Sequence, residues 1–121
     1  FISSTACFDP AVPTEGSRTV VEAVALAEIL TTLRPTFLIV DVEGGELDLA
    51  DPSVPLDGVQ KLCVEMHPAV IGDAGVSRVV AALLARGFYL QLAECRGNVL
   101  YFERGPSTVE RADSGPEVRA A

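Results

Sequence analysis

The chain has 121 residues, 49% of them apolar, and a formal net charge of −8. That is enough polypeptide for one small domain with a packed core. The acidity argues against nucleic acid and anionic membrane surfaces as partners, because both need basic side chains to neutralise them, and no apolar run approaches the ~20 residues of a membrane span. Cys7, Cys63 and Cys95 are an odd number at wide spacings, with no CxxC or Cys/His finger pattern. Disulfide-scaffold and zinc-finger readings are therefore weak, and a reducing, cytoplasmic compartment is expected. The sequence opens on Phe1 with no basic-then-apolar leader, so the simplest expectation is a piece of something longer.

Residues 1–18 read as irregular, with Pro10, Pro13 and Gly16 breaking any period. Residues 19–25 alternate and are rich in valine, which predicts a strand near a sheet edge. A continuous helix over 20–33 is the competing reading. Leu26, Ile29, Leu30 and Leu33 have helical spacing. Arg34-Pro35 ends that helix, since the residue before proline is pushed out of the α region.

Residues 36–42, Thr-Phe-Leu-Ile-Val-Asp-Val, predict a strand buried on both faces, as inside a parallel sheet. It runs into Asp41, Glu43 and Glu46, an acidic cluster interrupted by Gly44 and Gly45. The glycines permit a sharp exit. Residues 46–50 allow one or two helical turns before Pro52 and Pro55 stop them. Residues 61–66 predict the second buried strand, which ends in Glu65-Met66-His67-Pro68. Cys63 and Met66 read as core fillers. A loop through Gly72 and Asp73 leads to an apolar stripe at Val76, Val79, Val80, Leu83 and Leu84, a helix that Asp73 or Ser77 would cap and Gly87 would close. Residues 88–94 and 98–104, separated by Arg96-Gly97, form a predicted hairpin. Residues 105–121 read as a flexible tail.

Strands alternating with helices predict an α/β fold with a mostly parallel sheet and a C-terminal antiparallel hairpin. Two polar clusters then stand at the ends of successive parallel strands, about 5 Å apart. Asp41, Glu43, Glu65 and His67 would face one crevice, able to bind a divalent cation or act as general base. Each residue also has a plainer role. Asp41 can cap the helix that follows, Glu46 can complement a helix dipole as a first-turn residue, and the lone His67 can be a hydrogen-bonded loop residue. Glu65, inside a buried strand, needs a partner that Lys61 is too distant to provide.

Asp41-Val-Glu-Gly-Gly-Glu46 after an apolar strand resembles the D-x-E-G-x-E signature of the FkbM family of methyltransferases, and Glu65-Met-His-Pro68 is similar to the E-x-H segment on that family's next strand. The resemblance covers roughly residues 19–104. It implies the C-terminal half of a Rossmann-like, S-adenosylmethionine-dependent methyltransferase domain, holding the fourth to seventh strands of the sheet with the last one antiparallel. It further implies methyl transfer to a hydroxyl of a sugar or secondary metabolite. Asp41, Glu43, Glu65 and His67 would be the catalytic residues, Asp41, Val42 and Gly44 would lie at the donor, and any metal would sit on Asp41, Glu43 and His67. No G-x-G occurs in the chain, so the Gly-rich donor loop of such folds, and the acidic residue that binds the donor ribose, would be supplied by a missing N-terminal half or a partner chain. A non-catalytic α/β module that completes its sheet with a partner is the alternative. A metal-dependent hydrolase built on the same acids is a third reading.

Overall fold

The computed structural model describes residues 20–105. The expectations for residues 1–18 and for the tail beyond Gly105 lie outside them. Helix α1 (Leu26–Leu33) is followed by strand β1 (Phe37–Val40), a 3-10 segment (Gly45–Ala50) and strand β2 (Lys61–Glu65). Helix α2 (Pro68–Ala85), strand β3 (Phe88–Leu90), a short 3-10 turn (Leu92–Glu94) and strand β4 (Val99–Arg104) complete the order.

Helix α1 ends as the proline predicts. Arg34 takes the left-handed conformation (φ 47°) and its N–H bonds Leu30 C=O at 3.1 Å. Residues 20–25, by contrast, carry no strand: Val20 is 96% exposed, and they pair with no strand among the described residues. The alternation there has no neighbouring strand to satisfy, and β-propensity without cross-strand packing does not make a strand.

The four strands form one sheet in the order β1-β2-β4-β3. Strands β1 and β2 pair in parallel, with Ile39 opposite Cys63 and Val40 opposite Val64. Strand β4 runs antiparallel to both of its neighbours, β2 and β3. The expectation of a mostly parallel sheet is thus corrected to a mixed α/β sheet with one parallel pair and two antiparallel ones. Strands β1, β2 and β3 do share a direction. The last strand inserts between β2 and β3, so it converts what would be a parallel contact into two antiparallel ones. The predicted hairpin is present, although the 3-10 turn shortens its first strand to three residues.

The expected double-sided burial of the first strand is also corrected. Its burial alternates, with Leu38 and Val40 covered and Phe37 and Ile39 exposed. The covered face is one continuous apolar cluster in which α1 (Leu26, Leu30), the 3-10 segment (Leu49) and α2 (Val79, Leu83) pack on Leu38, Val40, Leu62, Val64, Phe88 and Phe102. The opposite face, which carries Phe37, Ile39, Cys63 and Tyr101, meets no helix among the described residues. Cys63, expected in the core, is half-buried there.

Helix α2 begins earlier than predicted. Pro68 occupies its first turn, where a missing N–H costs nothing; the chain does leave helical geometry at Gly72 (φ 70°, ψ 167°), as expected, but as a kink joining two helical pieces and not as a longer loop. Neither Asp73 nor Ser77 caps its start, and Ser77 Oγ donates to Asp73 C=O at 2.9 Å. Gly87, at φ 87°, follows the helix end as predicted. By length and composition alone α2 is apolar enough to cross a membrane; here it is kinked and packs on the 3-10 segment and the sheet.

Two arginines tie down the link between β1 and β2 through its carbonyls. Arg86 donates to Val54 C=O (2.8 Å) and Asp51 C=O (2.7 Å). Arg104 donates to Val59 C=O (2.9 Å), Arg86 C=O (2.8 Å) and Leu56 C=O (2.7 Å), with its guanidinium 4.3 Å above the Phe88 ring. Val54, Leu56 and Val59 can therefore join the core although they lie in no regular element.

Candidate functional site

The site lies at the C-terminal ends of the two parallel strands. Register puts it there: with Val40 opposite Val64, the next residues, Asp41 and Glu65, emerge side by side. His67 follows two residues later as the cap position of α2, so its ring is held at the junction of strand and helix. The chain turns back after Val42 through Gly44, whose φ of 91° suits only glycine and where a Cβ would stand 2.9 Å from Val70. Gly45 N–H closes that turn on Val42 C=O at 2.6 Å.

This turn buries Glu46, the one charged residue among the buried side chains described, at 0% exposure. Its Oε2 accepts the Gly44 N–H (2.8 Å). Its Oε1 accepts the His67 backbone N–H (2.7 Å) and lies 3.3 Å from His67 Nδ1. A buried carboxylate of this kind costs several kcal/mol unless its lone pairs are used, and here they are. Glu46 is thus more than a first-turn residue: it joins the acidic turn to the start of α2. Asp41, by contrast, makes no cap, because the 3-10 segment starts from Gly44 without a side-chain cap.

With Nδ1 turned to Glu46, His67 Nε2 faces outward. It lies 3.7 Å from Asp41 Oδ1 and 3.9 Å from Glu43 Oε1. Asp41 and Glu43 are largely exposed, whereas the imidazole is largely covered. Ligand atoms of Asp41, Glu65 and His67 all lie within 4.8 Å of one another. The structure therefore brings together all four sequence-predicted residues, and the trio whose ligand atoms gather mutually contains Glu65 where Glu43 is expected. Lys61 pairs with Glu103 at 3.5 Å and leaves Glu65 to the cluster.

Beside the cluster opens an apolar cavity of about 310 Å³ lined by Leu26, Ile39, Val40, Asp41, Val42, Gly45 and Asp48. A second hollow on the far side of the acidic turn is lined by Glu43, Gly44, Val70, Ile71 and Arg78, among others. Gly44, expected at the donor, has its N–H engaged by Glu46 and lines the second hollow; Gly45 lines the first. Asp48 touches both, and burial, followed by the nearby Asp51 charge, raises its pKa. Asp51 is shifted down, chiefly by the Ser53 hydroxyl and backbone N–H that its Oδ1 accepts, and further by the Arg86 charge.

Composition and spacing miss two parts of this arrangement. The burial of Glu46 depends on His67, 21 residues on, and only the fixed Glu at the end of D-x-E-G-x-E hints at it. Leu26 from the covered side and Ile39 from the uncovered face meet at the β1 edge as cavity walls, which no local pattern announces. No family model matches the chain, and no curated protein or solved structure matches it.

Proposed function

We propose that this chain is the C-terminal half of a Rossmann-like methyltransferase domain of FkbM type, which transfers a methyl group from S-adenosylmethionine to a hydroxyl of a sugar or secondary metabolite within a longer, cytoplasmic protein. The observation that carries the reading is the meeting of the D-x-E-G-x-E turn and the E-x-H segment at adjacent parallel strand ends, beside an apolar cavity. The antiparallel last strand also agrees with what the resemblance implies.

In this reading His67 is the general base. Glu46 accepts from Nδ1 and so leaves the Nε2 lone pair to take the acceptor's hydroxyl proton. Asp41, Glu43 and Glu65 then surround a developing imidazolium with negative charge. The donor supplies an electrophilic methyl on a cationic sulfur. Asp41 and Val42, with Gly45 in place of Gly44, would hold the part of it that reaches the 310 Å³ cavity, and the remaining contacts would come from sequence before Phe1. Methyl transfer is an in-line displacement, so the chain's main contribution is positioning and exclusion of water. The test is calorimetric binding of S-adenosylhomocysteine to the full-length protein, together with methyl transfer by its Asp41→Asn and His67→Gln variants. Losses of 100-fold or so in turnover are expected. Unchanged turnover in Asp41→Asn removes Asp41 from the mechanism, and no donor binding removes the reading.

A second reading rests on a different observation. Strand β1 is the sheet edge, and its outward face exposes Phe37 and Ile39. A non-catalytic module that completes its sheet with a partner would use that edge and face. It predicts a stable complex that binds no donor.

A further inference from the structure

We propose that Asp41, Glu65 and His67 form a binding site for one first-row divalent transition-metal ion, with Glu46 behind it as the positioning residue. The proposal goes beyond the methyl-transfer reading and needs neither donor nor acceptor. It starts from the orientation of one ring. Glu46 Oε1 already accepts the His67 backbone N–H and stands 3.3 Å from Nδ1. Oε2 is held by Gly44 N–H. The carboxylate is fully buried and cannot swing away, so the proton of a neutral imidazole sits on Nδ1 and the Nε2 lone pair points at the crevice.

What Nε2 faces there is carboxylate oxygen. Asp41 Oδ1 lies 3.7 Å away and Glu43 Oε1 3.9 Å. Both are beyond hydrogen-bond length, and both are anionic oxygen donors of the kind a divalent cation takes. Among the described residues, the ion pairs of Asp41 and Glu43 run to His67 alone, while the lysine on β2 is engaged by Glu103. Donor atoms that share an ion ~2.1 Å away lie about 3–4 Å apart. Asp41, Glu65 and His67 offer three donor atoms within 4.8 Å of one another, a spacing that rotation of the exposed Asp41 carboxylate would tighten around an ion. A cation between them would also offset the charge of the gathered carboxylates. A buried carboxylate that holds the far nitrogen of a ligating histidine is the usual outer-sphere support of such sites, because it fixes the tautomer and raises ligand basicity.

The donor set names the ion. One imidazole and two carboxylates are too nitrogen-rich for calcium or magnesium, lack the thiolates of a closed structural zinc site, and suit Mn²⁺ through Zn²⁺. Three protein ligands leave positions for water or a hydroxyl oxygen, whose acidity the ion would raise; with the ion bound, Nε2 is a ligand, and His67 serves as general base only in the metal-free protein. Glu43, longer and more exposed, is not required as a ligand. This differs from the set Asp41, Glu43 and His67 that the sequence suggests.

The test is an electron paramagnetic resonance titration of Mn²⁺ into the whole chain, in the absence of donor and acceptor. One saturable site is expected. Asp41→Asn and Glu65→Gln should each weaken it at least tenfold. Glu46→Gln should weaken it several-fold with an unchanged circular dichroism spectrum, and Glu103→Gln should leave it unaltered. Asp41 is exposed and makes no cap, so loss of binding in Asp41→Asn cannot be ascribed to unfolding. Absence of a saturable site, or a site that Asp41→Asn leaves intact, overturns the proposal. Either result leaves the methyl-transfer reading standing, since that is measured by donor binding and turnover.

Discussion

Along β1 the two faces of the sheet carry the same kinds of residue and end in opposite states. On one, Leu38, Val40, Leu62, Val64 and Phe102 are buried under α1, the 3-10 segment and α2. On the other, Phe37 is 49% and Ile39 66% exposed. A strand of four apolar residues reads the same whether one side or both are covered. The difference lies in which elements are available to lie across it. The covered face is therefore where this chain holds its own stability. The open face, with the unpaired β1 edge, is where any additional polypeptide has most to gain.

The largest effects should fall on the covered face. Phe102 is fully buried and paired with Leu62 across the sheet. Phe102→Ala removes both contact area and filling volume and should cost about 4 kcal/mol in urea unfolding. A loss below ~1 kcal/mol would mean that this core is loose, and the contrast between the faces would disappear.

Next comes the carboxylate that joins the covered core to the site. Glu46→Ala leaves the Gly44 and His67 N–H groups without their acceptor, a loss of about 3 kcal/mol. Glu43→Ala, in the same turn but exposed, should change stability by less than ~0.5 kcal/mol. A smaller loss is expected where the link between β1 and β2 is tied down. Arg104→Lys keeps the charge but cannot reach Val59, Arg86 and Leu56 together. The expected cost is about 2 kcal/mol, measured by the same unfolding curves.

Smaller again is an effect of pH at Asp48. Its folded-state pKa is raised, mainly by burial. The charged form is therefore disfavoured in the fold, and the penalty grows as pH rises from the unfolded pKa to the folded one. Asp48→Asn should be slightly stabilising at pH 7 and neutral at pH 3, where both states are protonated. Asp51 has the reverse sign. Its lowered pKa contributes stability above the ordinary carboxylate range that is lost as pH falls through the folded value, so Ser53→Ala should reduce the acid sensitivity of the fold.

What the sequence makes legible follows the range of each interaction. Helix α1 and its stop at Arg34-Pro35, the turn at Gly44, the 3-10 segment before Pro52 and the closure at Gly87 all depend on neighbouring residues, and all stand as predicted. The acid and imidazole positions are legible too: the strands end within two residues of where the sequence places them, and register brings Asp41 to Glu65. The failures are non-local. Residues 20–25 carry a strand-like alternation but find no pairing partner. Strand β4 inserts beside β2, pairing residues far apart in the chain such as Lys61 with Glu103, which no local signal announces. Glu46 looks like a helix-start residue until His67 is folded onto it.

The smallest expected effect is the most informative about the open face. Ile39 projects from the middle of β1 and is largely exposed. Ile39→Thr keeps a β-branched side chain, so strand propensity is preserved. In the 121-residue chain alone the change in stability should stay within about 0.5 kcal/mol. If the face is covered in a longer protein or a complex, the same substitution there places a hydroxyl in an apolar contact and removes buried methylene area, at a cost of about 1–2 kcal/mol. The two measurements differ only in what lies over Ile39. Equal values would show that the face is open in the assembled protein as well, and the asymmetry of the sheet would then be a finished property of the fold. A larger loss in the assembly would show that the face is completed by polypeptide outside the described residues.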